Sequence, residues 1–193
     1  MNKETDSVSK SLKRDEMIRY AYDLFYKNGF HATGVDAITE GTGISKRTLY
    51  KHFISKEGLI LATIDYYHQT RYEAITAYLE KTKLKNPIDK VLSIFDFLSD
   101  LVDTGLLNGC FAMNAKTEYV NKAKEIEAAC DAYGATLQQL IERYLEKGNV
   151  KNSKSVTIQL AMLFEGAVLR SKGTGNSEPV KLAKAAAKLI CNQ

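Results

Sequence analysis

Tryptophan is absent from the 193-residue chain, and proline and cysteine occur only two and three times. The cysteines, Cys110, Cys130 and Cys191, are odd in number and widely spaced. Such spacing argues against a disulfide framework and matches no zinc site, so we expect small buried apolar residues in a reducing compartment. The scarcity of proline favours a mostly helical chain.

Long apolar runs are missing as well. No segment approaches the roughly 20 residues of a membrane-spanning helix, and the polar N-terminus lacks the apolar core of a secretory signal. These absences predict a cytoplasmic protein with no membrane partner. The sequence also contains no HExxH, Gly-rich phosphate loop or G-x-S-x-G motif and no recognisable carboxylate pair. We therefore predict neither an enzyme nor a cofactor or metal site.

Apolar residues recur at helical spacing and no strand alternation is visible, which predicts an all-α fold. A first helix is expected to end at Asn28-Gly29. A second starts at Thr33, where "TGVD" has the form of a capping box, and a third, "KRTLYKHF", is capped by Ser45. Three short helices with a glycine-containing turn between the last two are the arrangement of a helix-turn-helix unit.

The remaining chain predicts longer helices. Ser55 is expected to cap a fourth helix that runs from Lys56 to about Lys81. Later segments are predicted at 87–103, 110–119, 121–147, 155–172 and 179–190.

Positive charge is concentrated near the N-terminus. Residues 1–56 hold 10 Lys and Arg against 7 Asp and Glu, a net charge of +3 out of +4 for the whole chain. A localised basic excess indicates a polyanionic partner, although a solvated charged face is the alternative interpretation.

The predicted third helix has two different faces. With Leu49 pointing inward, Phe53 lies near it, and Arg47 and Lys51 lie about 200° away on the opposite side. Two cations four residues apart, with no acid between them, gain no local ion pair, and a phosphate or a base edge would relieve their repulsion.

The dimensions of this helix suit the major groove of DNA. Arg or Lys can contact guanine there, and Thr48 beside the inward direction can touch a thymine methyl group. Tyr50 flanks the inward direction on the other side from Thr48. Lys56, at the start of the fourth helix, is placed for a second phosphate contact. A structural helical hairpin with solvated lysines remains the alternative.

The stretch "TGVDAITEGTGISKRTLYKHFISKEGL" resembles the signature of TetR-type (TetR/AcrR) transcriptional regulators, and the resemblance covers roughly residues 14–60. It implies a helix-turn-helix DNA-binding domain at 13–55 and a larger helical domain at 56–193 for effector binding and dimerisation. The residues before them, 1–12, are predicted from their own composition to form a flexible basic arm. The resemblance also implies a repressor that binds a palindromic double-stranded operator and leaves it when a small-molecule effector binds.

The resemblance further implies individual roles. Thr33 and Lys56 would contact phosphates, Tyr50 and His52 the DNA backbone, and the start of the third helix the major groove. Arg47 departs from the small residue that is frequent there. The DNA-binding set is Thr33, Ser45, Lys46, Arg47, Thr48, Tyr50, Lys51, His52 and Lys56.

The last two helices are apolar on more than one side, so they predict either an isologous four-helix interface of a homodimer or one monomer's core. The stripe assigned to the dimer interface is Ile158, Ala161, Val168, Val180, Ala183, Ala187 and Ile190.

The resemblance also implies an effector pocket among the fourth to eighth helices, and the candidates for its wall combine apolar bulk with a few polar groups. Core packing is the alternative for each of them. The candidates are Tyr66, Tyr67, Phe95, Leu98, Phe111, Met113, Asn114, Met162, Phe164 and Glu165.

Two alternative functions stay open. Cys110 opens a predicted helix, where a thiolate is favoured, so a thiol-based redox-responsive regulator is one. A non-specific architectural DNA binder or a helical adaptor is the other, although such a protein needs only the basic end of the chain.

Overall fold

The computed structural model describes the backbone of residues 2–192 and the side chains of residues 12–192. The described residues form helices joined by short loops, which confirms the all-α prediction. The helices are α1 (Asn2–Asn28), α2 (Val35–Thr42), α3 (Lys46–Phe53), α4 (Lys56–Lys81), α5 (Pro87–Asp103), α6 (Phe111–Tyr119), α7 (Lys124–Lys147), α8 (Ser153–Thr174) and α9 (Glu178–Cys191).

Helix α1 begins within the segment that the sequence predicts as a flexible arm. The side chains of residues 1–11 lie outside the described residues, so the flexibility of the arm stays a prediction. Elsewhere the predicted limits agree to within three residues. Side-chain caps begin several helices, as at α5, where Asn86 Oδ1 accepts from the Ile88 N–H at 2.8 Å.

The chain forms two compact units. The first comprises the chain up to Gln69 together with Phe111–Cys130, and the second comprises Thr70–Cys110 and the chain from Asp131 onward. Helix α6 therefore belongs with the predicted helix-turn-helix helices, whereas the sequence places it in the larger domain. The functional domains at 13–55 and 56–193 stay predictions.

The core of the first unit is aromatic. Within it α1 packs against α2, and α2 packs against α3. The ring of Phe30 lies 5.1 Å from Phe25 of α1 and 4.9 Å from Phe111 of α6, measured between centroids, and all three side chains are buried. Helix α6 therefore completes the core under the helix-turn-helix region.

The second unit is built on α5, α8 and α9, which pack against one another. Lys184 of α9 donates from Nζ to both carboxylate oxygens of Asp96 on α5 at 2.6 Å, which ties these two helices together. Val168, Val180, Ala183 and Ala187 lie in the apolar core of this unit.

The predicted dimer stripe was therefore wrong for these four residues, because they pack into the chain's own core between α5, α8 and α9. Ile190 packs partly against the same core. Ile158 is exposed and Ala161 is half-buried, so they remain at the surface.

The opposite sides of α8 and α9 carry exposed apolar side chains. Leu182 is 64% exposed and Leu189 is 70% exposed, and both lie on α9. Ile158, Met162 and Leu169 on α8 are exposed as well. We call these five residues the outer apolar face. Within the described residues, none of the helices has both the length and the apolar character required to cross a membrane.

Candidate nucleic-acid interface

Helix α3 is held at its start by the predicted cap. Ser45 Oγ accepts from the Thr48 N–H at 3.2 Å and is 3.0 Å from Thr48 Oγ1. Gly43 ends α2 in the left-handed conformation with φ of 66°, which glycine adopts without a Cβ clash. The predicted Ser45 cap is confirmed, and together with the Gly43 cap it fixes where α3 begins.

The two faces of α3 are as predicted. Leu49 is fully buried and Phe53 is buried, whereas Arg47, Tyr50 and Lys51 are exposed. In the part of the chain that the structure describes, no ion pair joins Arg47 or Lys51 to a carboxylate. Thr48 and His52 are half-buried at the edges of the exposed face. The arrangement presents cations outward on an apolar anchor.

Lys46 differs from the other two cations. Its Nζ forms an ion pair with Asp36 Oδ1 of α2, and both side chains are more than half exposed. The hydrogen bond to Asp36 and the charge of that carboxylate raise the pKa of Lys46. The sequence argument considered only acids within the stretch around Lys46 and missed this partner, because it lies ten positions away on another helix.

Thr33 lies inside the first unit rather than at its surface. Its side chain is 2% exposed, and its hydroxyl donates to the Gly29 carbonyl at 2.8 Å. Gly34 is the N-cap of α2, and no side chain caps it. The predicted capping box was therefore wrong, and so was the predicted hydroxyl contact from Thr33 to phosphate. The hydroxyl instead donates to a backbone carbonyl directly after the last residue of α1.

Lys56 begins α4, where Ser55 Oγ accepts from the Gly58 N–H at 3.1 Å as the predicted cap. Burial lowers the pKa of the Lys56 ammonium group, and the charges of Glu57 and Glu118 act against that change. The side chain is half-buried, which leaves part of it accessible at the surface.

A carboxylate that the sequence did not single out holds the turn between α1 and α2. Glu118 of α6 accepts hydrogen bonds from the Phe30 N–H at 3.0 Å and the His31 N–H at 2.7 Å. Its Oε2 also lies 2.8 Å from His31 Nδ1. Gly29 has φ of 91°, and a Cβ atom there would lie 3.2 Å from Glu118 Oε1. We call this set the Glu118 tie.

Two opposing effects act on the Glu118 carboxyl. Partial burial raises its pKa, but the hydrogen bonds from Phe30 and His31 together outweigh burial and leave the pKa below its ordinary value. No spacing rule could have found this contact, because the partners are 87 and 88 positions apart.

The candidate effector residues fall into both units. In the first, Tyr67 and Phe111 are buried with 5.4 Å between ring centroids, Tyr66 and Asn114 are half-buried, and Met113 is exposed. In the second, Phe95 and Leu98 are buried, and the Phe95 ring lies 5.8 Å from the half-buried Phe164. Met162 and Glu165 are exposed on α8.

The first unit has an open pocket of about 390 Å³ between α1 and α4. Tyr66 is the one predicted effector residue that lines it, beside two arginines and two aspartates. In the second unit, sequence reasoning missed Thr76, Thr157 and Ser171, whose buried hydroxyls have no hydrogen-bond partner among the described residues. Nor do the described residues contain a cluster of three or more His, Cys, Asp or Glu that could hold a metal ion.

The geometry of α1 to α4 agrees with a known family. Residues 18–63 match the family model of bacterial regulatory proteins, tetR family. In residues 18–63 the chain carries the sequence pattern of the TetR family. The matched segment contains α2 and α3 complete, so it includes the exposed cations and both caps of the turn.

Two curated relatives show how far the TetR-family sequence likeness extends. The HTH-type transcriptional regulator UidR of Escherichia coli K12 is 47% identical over 51 residues, which are 26% of this chain and 26% of that protein. The HTH-type transcriptional repressor ComR of the same strain is 28% identical over 139 residues, 70% of this chain and 65% of that protein. The chain thus spans about a quarter of UidR's length in the aligned part.

Solved structures extend the likeness in fold to nearly the whole chain. SCO4454, a TetR-family transcriptional regulator from Streptomyces coelicolor, has a TM-score of 0.86 at 22% identity, covering 94% of this chain and 95% of that one. Escherichia coli NemR in its reduced form has a TM-score of 0.83 at 22% identity, covering 92% and 96%. These likenesses show the fold.

Proposed function

We propose that this TetR-family chain is a cytoplasmic, homodimeric regulator that binds a palindromic double-stranded DNA operator through α3. The observation that carries the proposal is the division of α3 into a buried side, Leu49 and Phe53, and an exposed side, Arg47 and Lys51. A helix of this width enters the major groove, where Arg and Lys bond guanine and phosphate.

The candidate DNA-contacting residues on and beside α3 divide into two proposed roles. Arg47 and Thr48, near the N-terminus of the helix, would read base edges, because the positive end of the helix dipole also favours approach to DNA there. Tyr50, Lys51, His52 and Lys56 would hold the phosphate backbone and set the register.

The outer apolar face supports a homodimer. Contiguous exposed apolar side chains on a monomer mark interaction surfaces. Two copies that join the outer apolar faces of α8 and α9 would form an isologous four-helix interface with a two-fold axis. A two-fold dimer carries two copies of α3, which is why we expect a palindromic operator with half-sites about one helical turn apart.

We further propose that a small-molecule effector releases the protein from the operator, so that it acts as a repressor. ComR, to which the chain is similar, is a repressor. Thr157 and Ser171 in the second unit are almost fully buried hydroxyls without a hydrogen-bond partner among the described residues, and a polar effector group would satisfy one of them. The effector must bind more tightly to a state of the protein with lower DNA affinity.

A redox-responsive regulator that uses Cys110 is the second candidate. Cys110 is partly accessible and lies directly before α6, and the similar NemR structure is that of a reduced form. The candidate predicts that mild oxidant releases the wild-type protein from its operator while Cys110→Ser stays bound. Equal release of both proteins would eliminate it.

The decisive experiment is selection of genomic fragments by the purified full-length protein, followed by affinity measurements on the best fragment and on random DNA at one salt concentration. We expect a palindromic site bound at least about a thousandfold more tightly than random DNA. Equal affinity for all fragments would instead indicate an architectural binder, since phosphate contacts alone give no sequence preference.

A further inference from the structure

The ion pair between Asp36 and Lys46 lies at the entrance to the proposed DNA-binding surface. Lys46 is the first residue of α3, and Asp36 is in the first turn of α2. Both side chains are more than half exposed, so the pair is accessible to an approaching nucleic acid. It places one negative charge beside the N-terminus of the helix that is proposed to enter the groove.

This carboxylate acts against simple phosphate binding. The N-terminus of a helix attracts phosphate through its free N–H groups and its dipole, and Lys46 would add a third attraction. Asp36 forms an ion pair with the Lys46 ammonium group, and its negative charge repels a phosphate at the same place. A DNA backbone that meets α3 in an arbitrary register must therefore either displace Asp36 from Lys46 or place a phosphate close to the negative charge of Asp36.

A base contact is affected differently. An ammonium group has three donors, so Lys46 can keep its bond to Asp36 and still donate to guanine O6 and N7. In that arrangement the Asp36 carboxylate orients the ammonium group of Lys46. The carboxylate then lies beside a base edge and not against a phosphate.

We propose that Asp36 is a specificity-determining residue, which weakens binding to non-operator DNA more than binding to the operator by holding Lys46. The inference rests on the proposed function and adds a repulsive element to it. Discrimination between partners commonly uses such an element, since specificity is a difference between two affinities.

The test uses Asp36→Asn in the full-length protein, with affinities for operator and for random DNA measured over a range of salt concentrations. Glu40→Gln is the matched control: it removes one negative charge from the same helix, and Glu40 acts on Lys46 through space without a hydrogen bond. Thermal unfolding of both variants checks that the fold is retained.

We expect Asp36→Asn to raise affinity for random DNA about threefold per α3, hence roughly tenfold for a dimer, because exposed ion pairs contribute factors of this size. Operator affinity should change less. The logarithmic salt slope on random DNA should steepen by about 0.9 per subunit as Lys46 becomes free to contact phosphate. In a Lys46→Met background, Asp36→Asn should leave that slope unchanged.

Three results would overturn the inference: equal gains in random-DNA affinity for Asp36→Asn and Glu40→Gln, equal gains on operator and random DNA, or unchanged random-DNA affinity. The first result would show that the gain in random-DNA affinity comes from net charge alone and not from the ion pair with Lys46. Failure of the proposed function is seen separately, because the wild-type protein would then show no operator preference before any variant is compared.

Discussion

Single side chains in the first unit carry contacts between segments far apart in the sequence. Glu118 holds two backbone N–H groups and a histidine ring of the α1–α2 turn, and its neighbour Tyr119 stacks on the same ring at 4.8 Å between centroids. An ionised acceptor of this kind stabilises more than a neutral one does. The position of the turn therefore depends on the charge of one carboxylate.

Replacing Glu118 by Gln should lower the free energy of unfolding by about 1–3 kcal/mol at pH 7, since charge-assisted hydrogen bonds are lost and a donor amide faces donors. The folded-state pKa of Glu118 is depressed, so its contribution is complete above the ordinary value of 4.5 and is lost as the pH falls below that value through the folded-state pKa. Urea unfolding from pH 7 to pH 3 measures both effects.

Asp23→Asn is the control for that measurement, because Asp23 is an exposed carboxylate of the same unit. It should leave the unfolding free energy within about 0.5 kcal/mol of wild type, as surface substitutions commonly do. A Glu118→Gln variant whose deficit stays constant down to pH 3 would contradict the role assigned to the ionised group.

Residue-scale contacts were the hardest to predict from sequence. The caps at Ser45 and Ser55 were predicted because they depend on residues three positions away. The hydroxyl of Thr33 was misassigned because its acceptor, the Gly29 carbonyl, is set by the path of the turn and not by the spacing of polar residues. The partners of Asp36 and Glu118 depend on how whole helices pack, which local patterns do not encode.

At the scale of one element, α3 separates stability from recognition on its two sides. Its inward pair, Leu49 and Phe53, was predicted from a 100° step per residue and is buried as expected. The outward cations follow from the same geometry. Substitutions on the two sides should therefore have different consequences.

Arg47→Ala and Lys51→Ala should weaken operator binding while leaving the unfolding temperature within a few degrees of wild type. Removing a base contact costs about 1–3 kcal/mol, and removing a phosphate contact reduces the logarithmic salt slope by about 1. Leu49→Ala should instead lower the free energy of unfolding by about 2–5 kcal/mol. Fluorescence anisotropy with labelled operator and thermal unfolding distinguish the two classes.

Lys27→Ala provides a cation control for these variants, because Lys27 is exposed in the last turn of α1, away from α3 in sequence. It should change neither affinity nor stability appreciably. If it weakened operator binding as much as Arg47→Ala, the effect of Arg47 would reflect net charge and not its place on α3.

For the whole molecule, the proposed dimer depends on which apolar stripe of α9 faces outward. Sequence periodicity found two adjacent stripes, and the interface was assigned to the one containing Val180 and Ala187. Both residues are buried in the chain's own core. A periodic pattern shows that two sides are apolar, but it does not tell which side the same chain covers.

Joint replacement of Leu182 and Leu189 by Glu should convert a dimer to a monomer, because charges would be buried at the joined outer apolar faces. Folding should be retained, since both side chains are exposed in the single chain. Sedimentation equilibrium measures the mass, and circular dichroism checks the helices. The affinity for the operator should fall when the dimer is lost, because a single subunit contacts only one half-site.

Lys188→Glu on the same helix is the matched control and should remain dimeric, because Lys188 is an exposed polar residue outside that face. A double Leu variant that keeps the wild-type mass would move the interface away from α8 and α9.

The Glu118 tie has a consequence for synthesis of the chain on the ribosome. Helices α1 to α4 emerge first, but their core lacks Phe111 and their turn lacks its carboxylate until α6 has left the exit tunnel. A nascent chain halted before residue 111 would hold the helix-turn-helix segment with an open aromatic core and without the carboxylate that pairs the Phe30 and His31 amides. The helix-turn-helix segment therefore acquires its complete core only after the first 118 residues have left the exit tunnel.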